Sequence, residues 1–120
     1  MSKNKELKVA GVVTLYNPTD SDIKNISTYI DDIDKLYVVD NTEGSNNKNR
    51  LPKNKKIEYI FKNENLGVAT AMNMGAEKAL KDGYQWLLTM DQDTTFKPGV
   101  MQKMKDTILS KDMKKVGIVT

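Results

Sequence analysis

Four short apolar runs, each halted by a polar cluster, constrain this chain more than any other feature. Residues 7–16 (LKVAGVVTLY) are rich in β-branched side chains and end at Asn17-Pro18. Residues 35–39 (KLYVV) end at Asp40-Asn41, residues 57–61 (IEYIF) end just before Asn63, and residues 84–90 (YQWLLTM) end at Asp91-Gln92-Asp93. Runs of this length and composition read as strands buried on both faces of a parallel sheet. The segments between them have helical spacing. Ile23, Ile26 and Ile30 predict a short amphipathic helix capped by Ser21 or Asp20. Val68, Met72, Ala76 and Ala79 predict a second helix, stopped by Gly83. Pro98 suits the first turn of a third, with Val100, Met101, Met104 and Ile108 facing inward. Residues 42–56, polar and interrupted by Pro52, predict a loop with one helical turn. Residues 116–119 start a fifth strand.

Strands alternating with helices imply right-handed crossovers and a mostly parallel sheet, so the fold class is α/β, in one domain spanning residues 1–120. Such sheets bind ligands at the carboxyl ends of their strands, near the point where strand order reverses. The polar ends of all four runs fall on that edge. Composition then removes several chemistries. The chain has no His and no Cys, which excludes Ser-His-Asp catalysis, His-ligated zinc and a thiol nucleophile within it. The absence of Cys fits a reducing compartment. The net charge of +3 favours anionic ligands modestly. Lys53, Lys55 and Lys56 read as solvated surface, and no aromatics interleave with them, which argues against nucleic acid. No run reaches the ~18 apolar residues of a membrane-spanning helix. The start of the chain lacks the cleavage site of a signal peptide.

The sharpest chemical feature is Asp91-Gln92-Asp93. Two acids at the end of a buried strand repel each other and lose hydration, so they need a cation or a set of donors. If strand geometry continues through the tripeptide, its period of two points both carboxylates to one side. Hard carboxylate oxygens suit Mg²⁺ or Mn²⁺ shared with substrate phosphates. The same tripeptide also fits a turn with helix-capping acids ahead of Pro98. Asp40 can accept from a base N–H or a ribose hydroxyl, or simply close a turn. Asn65 and Gly67 shape the entry to the second helix, whose N-terminus suits a phosphate. Asn73 sits mid-helix at the edge of the predicted apolar stripe, where Asn is a weak helix former and implies a partner. Thr14 and Asn17 are weaker signals, since a polar strand end needs little explanation. Neither a P-loop nor a G-x-G-x-x-G pattern occurs.

Taken in order, VVTLYNP (12–18), YVVDN (37–41), NENLGVATAMNMG (63–75) and LLTMDQD (87–93) resemble the start of a family 2 inverting glycosyltransferase with the GT-A fold. Among its members the chain is most similar to the bacterial rhamnosyltransferase type. The likeness runs over nearly the whole chain. It implies a GT-A or Rossmann-like three-layer α/β/α architecture. It also implies that Thr14, Tyr16 and Asn17 line the nucleotide cleft, that Asp40 contacts a pyrimidine base, and that Asn65 and Gly67 shape the turn beside the nucleotide. Asn73 would support the site from its helix, Asp91 would face the ribose and sugar, and Asp93, with Asp91, would hold Mn²⁺ or Mg²⁺ on the diphosphate. Many relatives place an Arg where this chain has Met72, which removes a cationic contact to the nucleotide.

The resemblance also sets expectations for the whole. Family catalytic domains are longer than this chain, so it corresponds to their N-terminal, nucleotide-sugar-binding half. The general base is then expected outside it; Glu43 and Glu64 lie on loops of the nucleotide half. The implied partners are a dTDP- or UDP-sugar and a glycan or lipid-linked acceptor. The implied location is cytoplasmic, peripheral at the inner face of the membrane. An unpaired sheet edge would invite a homodimer. Two other readings stay open: a non-catalytic nucleotide-binding or assembly module of the same half-fold, and a structural α/β domain that binds nothing.

Overall fold

The computed structural model describes residues 8–110 and 117–119, with side chains to residue 106. Its strands are β1 (Val9–Leu15), β2 (Lys35–Asp40), β3 (Ile57–Phe61), β4 (Trp86–Asp91) and β5 (Gly117–Val119). Its helices are α1 (Asp20–Asn25), α2 (Val68–Lys81) and α3 (Val100–Ser110). The strands form one sheet in the order β3-β2-β1-β4-β5, and every neighbouring pair is parallel. Parallel pairing puts all carboxyl ends on one edge. Strand order runs outward from β1 through β2 to β3, then jumps back across β1 to β4. The reversal therefore falls between β1 and β4.

Strand alternation sorts the core into two layers. Val13, Leu15, Leu36, Val38, Leu88 and Met90 face the layer built by Ile23, Ile26, Tyr29, Ile30 and Met101. Ala10, Val12, Tyr37, Val39 and Leu87 face α2. This is the three-layer α/β/α arrangement of GT-A and Rossmann-like folds.

Several local expectations are corrected. Neither Ser21 nor Asp20 caps α1. Thr19 does, through a capping box in which Asp22 N–H donates to Thr19 Oγ1 at 3.1 Å and Thr19 N–H donates to Asp22 Oδ2 at 3.0 Å. The isoleucine stripe is not one helix. After Asn25 the chain tightens into single 3₁₀ turns at Ile26–Thr28 and Ile30–Asp32, which still bury Ile26 and Ile30. Carbonyls of the second turn are satisfied by Lys56, which was expected in solvent. Its ammonium donates to the carbonyls of Ile30, Asp31 and Ile33, the last at 2.9 Å. Pro98 lies in the turn ahead of α3, closed by Val100 N–H donating to Lys97 O, and not in its first turn. The 42–56 loop carries its one helical turn at Lys48–Arg50. The side chain of Ile108, and residues 7 and 116, lie outside the described residues.

The largest correction concerns α2. Its buried ridge is Ala71, Gly75 and Ala79, while Val68 is 59% exposed and Met72 and Ala76 are only half-buried. Small residues win this face because the helix lies very close to β1. A Cβ on Gly75 would stand 2.6 Å from Val12 Cγ1. Both ends of α2 are tied to β2 and its extension. The Tyr37 hydroxyl donates to Asp82 at the C-cap, and Asn41 Nδ2 donates to Gly67 O at the N-cap.

Candidate functional site

The site grows from the last residues of β1 and β4. Thr14 pairs in register with Asp91, and by alternation it faces α2 together with Val12. It is 8% exposed, and its Oγ1 is the buried side-chain oxygen without a hydrogen-bond partner among the described residues. A buried hydroxyl lacking a protein partner is costly, which makes Thr14 at the carboxyl edge a candidate for ligand contact. Next to it, Tyr16 leaves the sheet and is 44% exposed. Asn17 follows at φ 44°, and its N–H donates to Thr42 Oγ1 at 2.8 Å, linking this loop to the one after β2.

Strand geometry does not run through the acidic tripeptide. It stops at Asp91, and Thr94 N–H donates to Asp91 O at 3.0 Å, closing a turn; Asp91 N–H donates to Thr94 Oγ1. The two carboxylates are thus set by a turn and not by the period of a strand. Both Asp91 and Asp93 are exposed. Gln92 between them points inward, accepting from Tyr16 N–H at 2.9 Å.

Asp40 is 1% exposed. Its Oδ1 accepts from Thr42 N–H at 3.0 Å, and its Oδ2 accepts from Asn47 N–H, Asn47 Nδ2 and the Tyr59 hydroxyl. Burial alone would raise its pKa, but the donors from Tyr59, Thr42 and Asn47 outweigh burial and hold it below the usual carboxylate range. Burial and the Asp40 charge push the Tyr59 phenol up. Arg50 extends the network, donating to Asn47 Oδ1 at 2.7 Å and pairing with Asp20 at 2.9 Å. Asp40 is therefore the anchor of the 42–47 loop that forms one rim of the edge.

The entry to α2 forms the facing rim. Asn65 Oδ1 accepts from Gly67 N–H at 3.0 Å, and Gly67 sits at φ 84°, which an L side chain rarely adopts. Gly67 N-caps α2 without a side-chain hydrogen bond, so the first-turn N–H groups open onto the carboxyl edge. Asn41 holds this turn by donating to Gly67 O at 3.2 Å and accepting from Leu66 N–H at 3.4 Å. Asn73 is placed differently from the sequence expectation. It lies exposed in the body of α2, away from the buried ridge and not at its edge.

The structure thus gathers Thr14, Tyr16, Asn17, Asp40, Asn65, Gly67, Asp91 and Asp93 on one edge and leaves Asn73 outside. Sequence reasoning missed Gln92, Asn41, Thr42, Asn47 and Tyr59. Only Gln92 and Asn41 carried a signal, by lying within the polar strand ends. A cavity of about 460 Å³ lies between segment 48–54 and β3, and of the site residues named above only Tyr59 lines it.

Among the described residues no three His, Cys, Asp or Glu side chains are grouped to hold a metal ion. Asp91 and Asp93 supply two exposed carboxylates. That donor set fits Mg²⁺ or Mn²⁺, which are held by one or two carboxylates with water and substrate phosphate completing the shell. It does not fit a closed structural site.

A parallel sheet with a polar edge at its strand-order reversal, exposed carboxylates after one strand and a helix entry after another, is the arrangement of a doubly wound α/β protein, a class that binds ligands at that edge. The model of glycosyl transferase family 2 matches residues 24–114, and the chain belongs to this family. It is 27% identical over 100 residues to the dTDP-rhamnosyl transferase RfbF of Shigella flexneri, which covers 80% of this chain and 33% of that protein. The chain spans about one third of the length of this curated relative.

Proposed function

We propose that this chain is the donor-binding part of a glycosyltransferase that moves a sugar, rhamnose foremost, from a dTDP- or UDP-sugar to a glycan or lipid-linked acceptor. The observation that carries this reading is the exposed Asp91 in register with the unpartnered Thr14 at the reversal of strand order, with Asp93 exposed in the turn that follows. The Tyr16 ring receives the planar base, and the Thr14 hydroxyl takes a polar group of the nucleoside. Asp40 shapes the base pocket by anchoring the loop at its rim. Asn17, Asn65 and Gly67 set the walls, and the uncapped first turn of α2 favours negative charge. Asp91 orients the ribose and sugar, and Asp93 with Asp91 holds Mn²⁺ or Mg²⁺. The ion, when bound, neutralises charge on the departing nucleoside diphosphate. In an inverting displacement the acceptor oxygen bonds to the anomeric carbon as the bond to the diphosphate breaks, and a carboxylate takes the hydroxyl proton. We assign that base to no residue of this chain. The location proposed for the whole enzyme is the cytoplasmic face of a membrane.

Titration of the chain with dTDP and with UDP, each with and without Mn²⁺, tests this. Mn²⁺ should tighten binding, and Asp93→Ala should reduce that gain at least about tenfold, the scale on which even outer-shell partners act. Binding that ignores Mn²⁺ and is unchanged in Asp93→Ala would refute the metal role. Binding without transfer, when the remainder of a family member is supplied, would favour a non-catalytic nucleotide-binding module.

A further inference from the structure

The β1–β4 ladder ends at Thr14 and Asp91, because the chain turns there. The Gln92 side chain continues it by one step. A primary amide offers the same kind of donor and acceptor as a peptide group. Gln92 Oε1 accepts from Tyr16 N–H at 2.9 Å, and Gln92 Nε2 donates to Tyr16 O at 3.3 Å. The Gln92 carbonyl accepts from Asn25 Nδ2 at 3.2 Å. The residue separating the two acids is therefore the one that fastens their turn to the segment carrying Tyr16.

Building on the donor-site reading above, we propose that Gln92 is a positioning residue that couples a divalent cation on Asp91 and Asp93 to a nucleoside diphosphate on Tyr16. Each ligand would further restrict the segment at its own end of this clamp. When the two segments share a clamp, the first ligand orders both, and the second loses less freedom on binding. Coupling of this kind is reciprocal, so it appears as one ratio whichever ligand is added first.

Gln92→Met keeps the length of the side chain and removes both clamp bonds. Calorimetric titrations would measure dTDP without metal, dTDP with saturating Mn²⁺, and Mn²⁺ alone. The ratio of dTDP affinities with and without Mn²⁺ should fall about fivefold or more in Gln92→Met, the scale of one or two net hydrogen bonds. Binding of Mn²⁺ alone should stay close to that of the unaltered chain, and the thermal midpoint should fall by no more than the few degrees these bonds are worth. Gln92→Glu, which keeps the acceptor for Tyr16 N–H, should give an intermediate ratio. A merely structural Gln92 would lower the midpoint or weaken Mn²⁺ alone and leave the ratio intact, which overturns the coupling. Absence of any dTDP binding by the unaltered chain overturns instead the donor-site reading on which the coupling rests.

Discussion

Asp40 stays ionised while almost sealed from water, because four hydrogen bonds converge on its carboxylate. Its lowered pKa has a definite sign for stability. The stabilisation is fully present above the unfolded value of about 3.9 and is lost as pH falls through the lower folded value. Tyr59→Phe deletes the hydroxyl that donates to Asp40 and accepts from Asn47 N–H. It should destabilise the chain by about 1–3 kcal/mol at neutral pH. It should also narrow the gap between urea midpoints at pH 7 and pH 3, since the folded pKa of Asp40 moves back toward its unfolded value. An unchanged gap would show that Tyr59 does not hold the Asp40 charge. Asp91 and Asp93 were legible in the sequence as strand-end acids because their chemistry sits at the abrupt end of an apolar run, whereas Thr14 was a weak signal and Tyr16 entered only with the family resemblance. Tyr59 was not legible, because its partner Asp40 lies 19 residues away and nothing local marks the pair. Gln92 lay within a polar strand end, but its contact was not legible, because its amide meets Tyr16 across 76 residues.

At the scale of elements, strand positions followed from composition, since β-branched runs in a doubly covered sheet have few alternatives. Helix faces did not. Apolar spacing pointed to Val68, Met72, Ala76 and Ala79, yet the sheet selected Ala71, Gly75 and Ala79. Closeness to Val12 decided this, because a ridge of small side chains lets α2 approach further than a ridge containing Val and Met. Gly75→Ala tests the point. Helix propensity alone would favour Ala by up to about 1 kcal/mol. The clash with Val12 should reverse the sign and cost about 1–3 kcal/mol, read from urea unfolding. Combining it with Val12→Ala should recover part of that loss in relative terms, because the two changes share one contact. A stabilised Gly75→Ala would mean that α2 can move away from the sheet freely. Helix caps were similarly decided by geometry: Thr19 outcompeted Ser21 and Asp20 because only it has an acid three residues on whose carboxylate reaches back to its own N–H.

For the whole molecule, the order β3-β2-β1-β4-β5 leaves β3 and β5 at the two margins of the described sheet. A margin strand carries backbone groups available to a second chain. We therefore expect concentration-dependent dimerisation in sedimentation velocity, and a monomer at every concentration would remove that expectation. The family 2 membership accords with this architecture. By itself the sequence determined the element types, the parallel class of the sheet and the chemistry at each strand end, because these depend on local hydrophobic period and on which residues halt it. Only the tertiary structure decided how those ends meet. It turned Asp91-Gln92-Asp93 out of strand geometry, inserted the Gln92 amide against Tyr16, sealed Asp40 beneath its loop and put Asn73 outside the cleft. These outcomes rest on hydrogen bonds and close packing between residues distant in the chain, which no local period records.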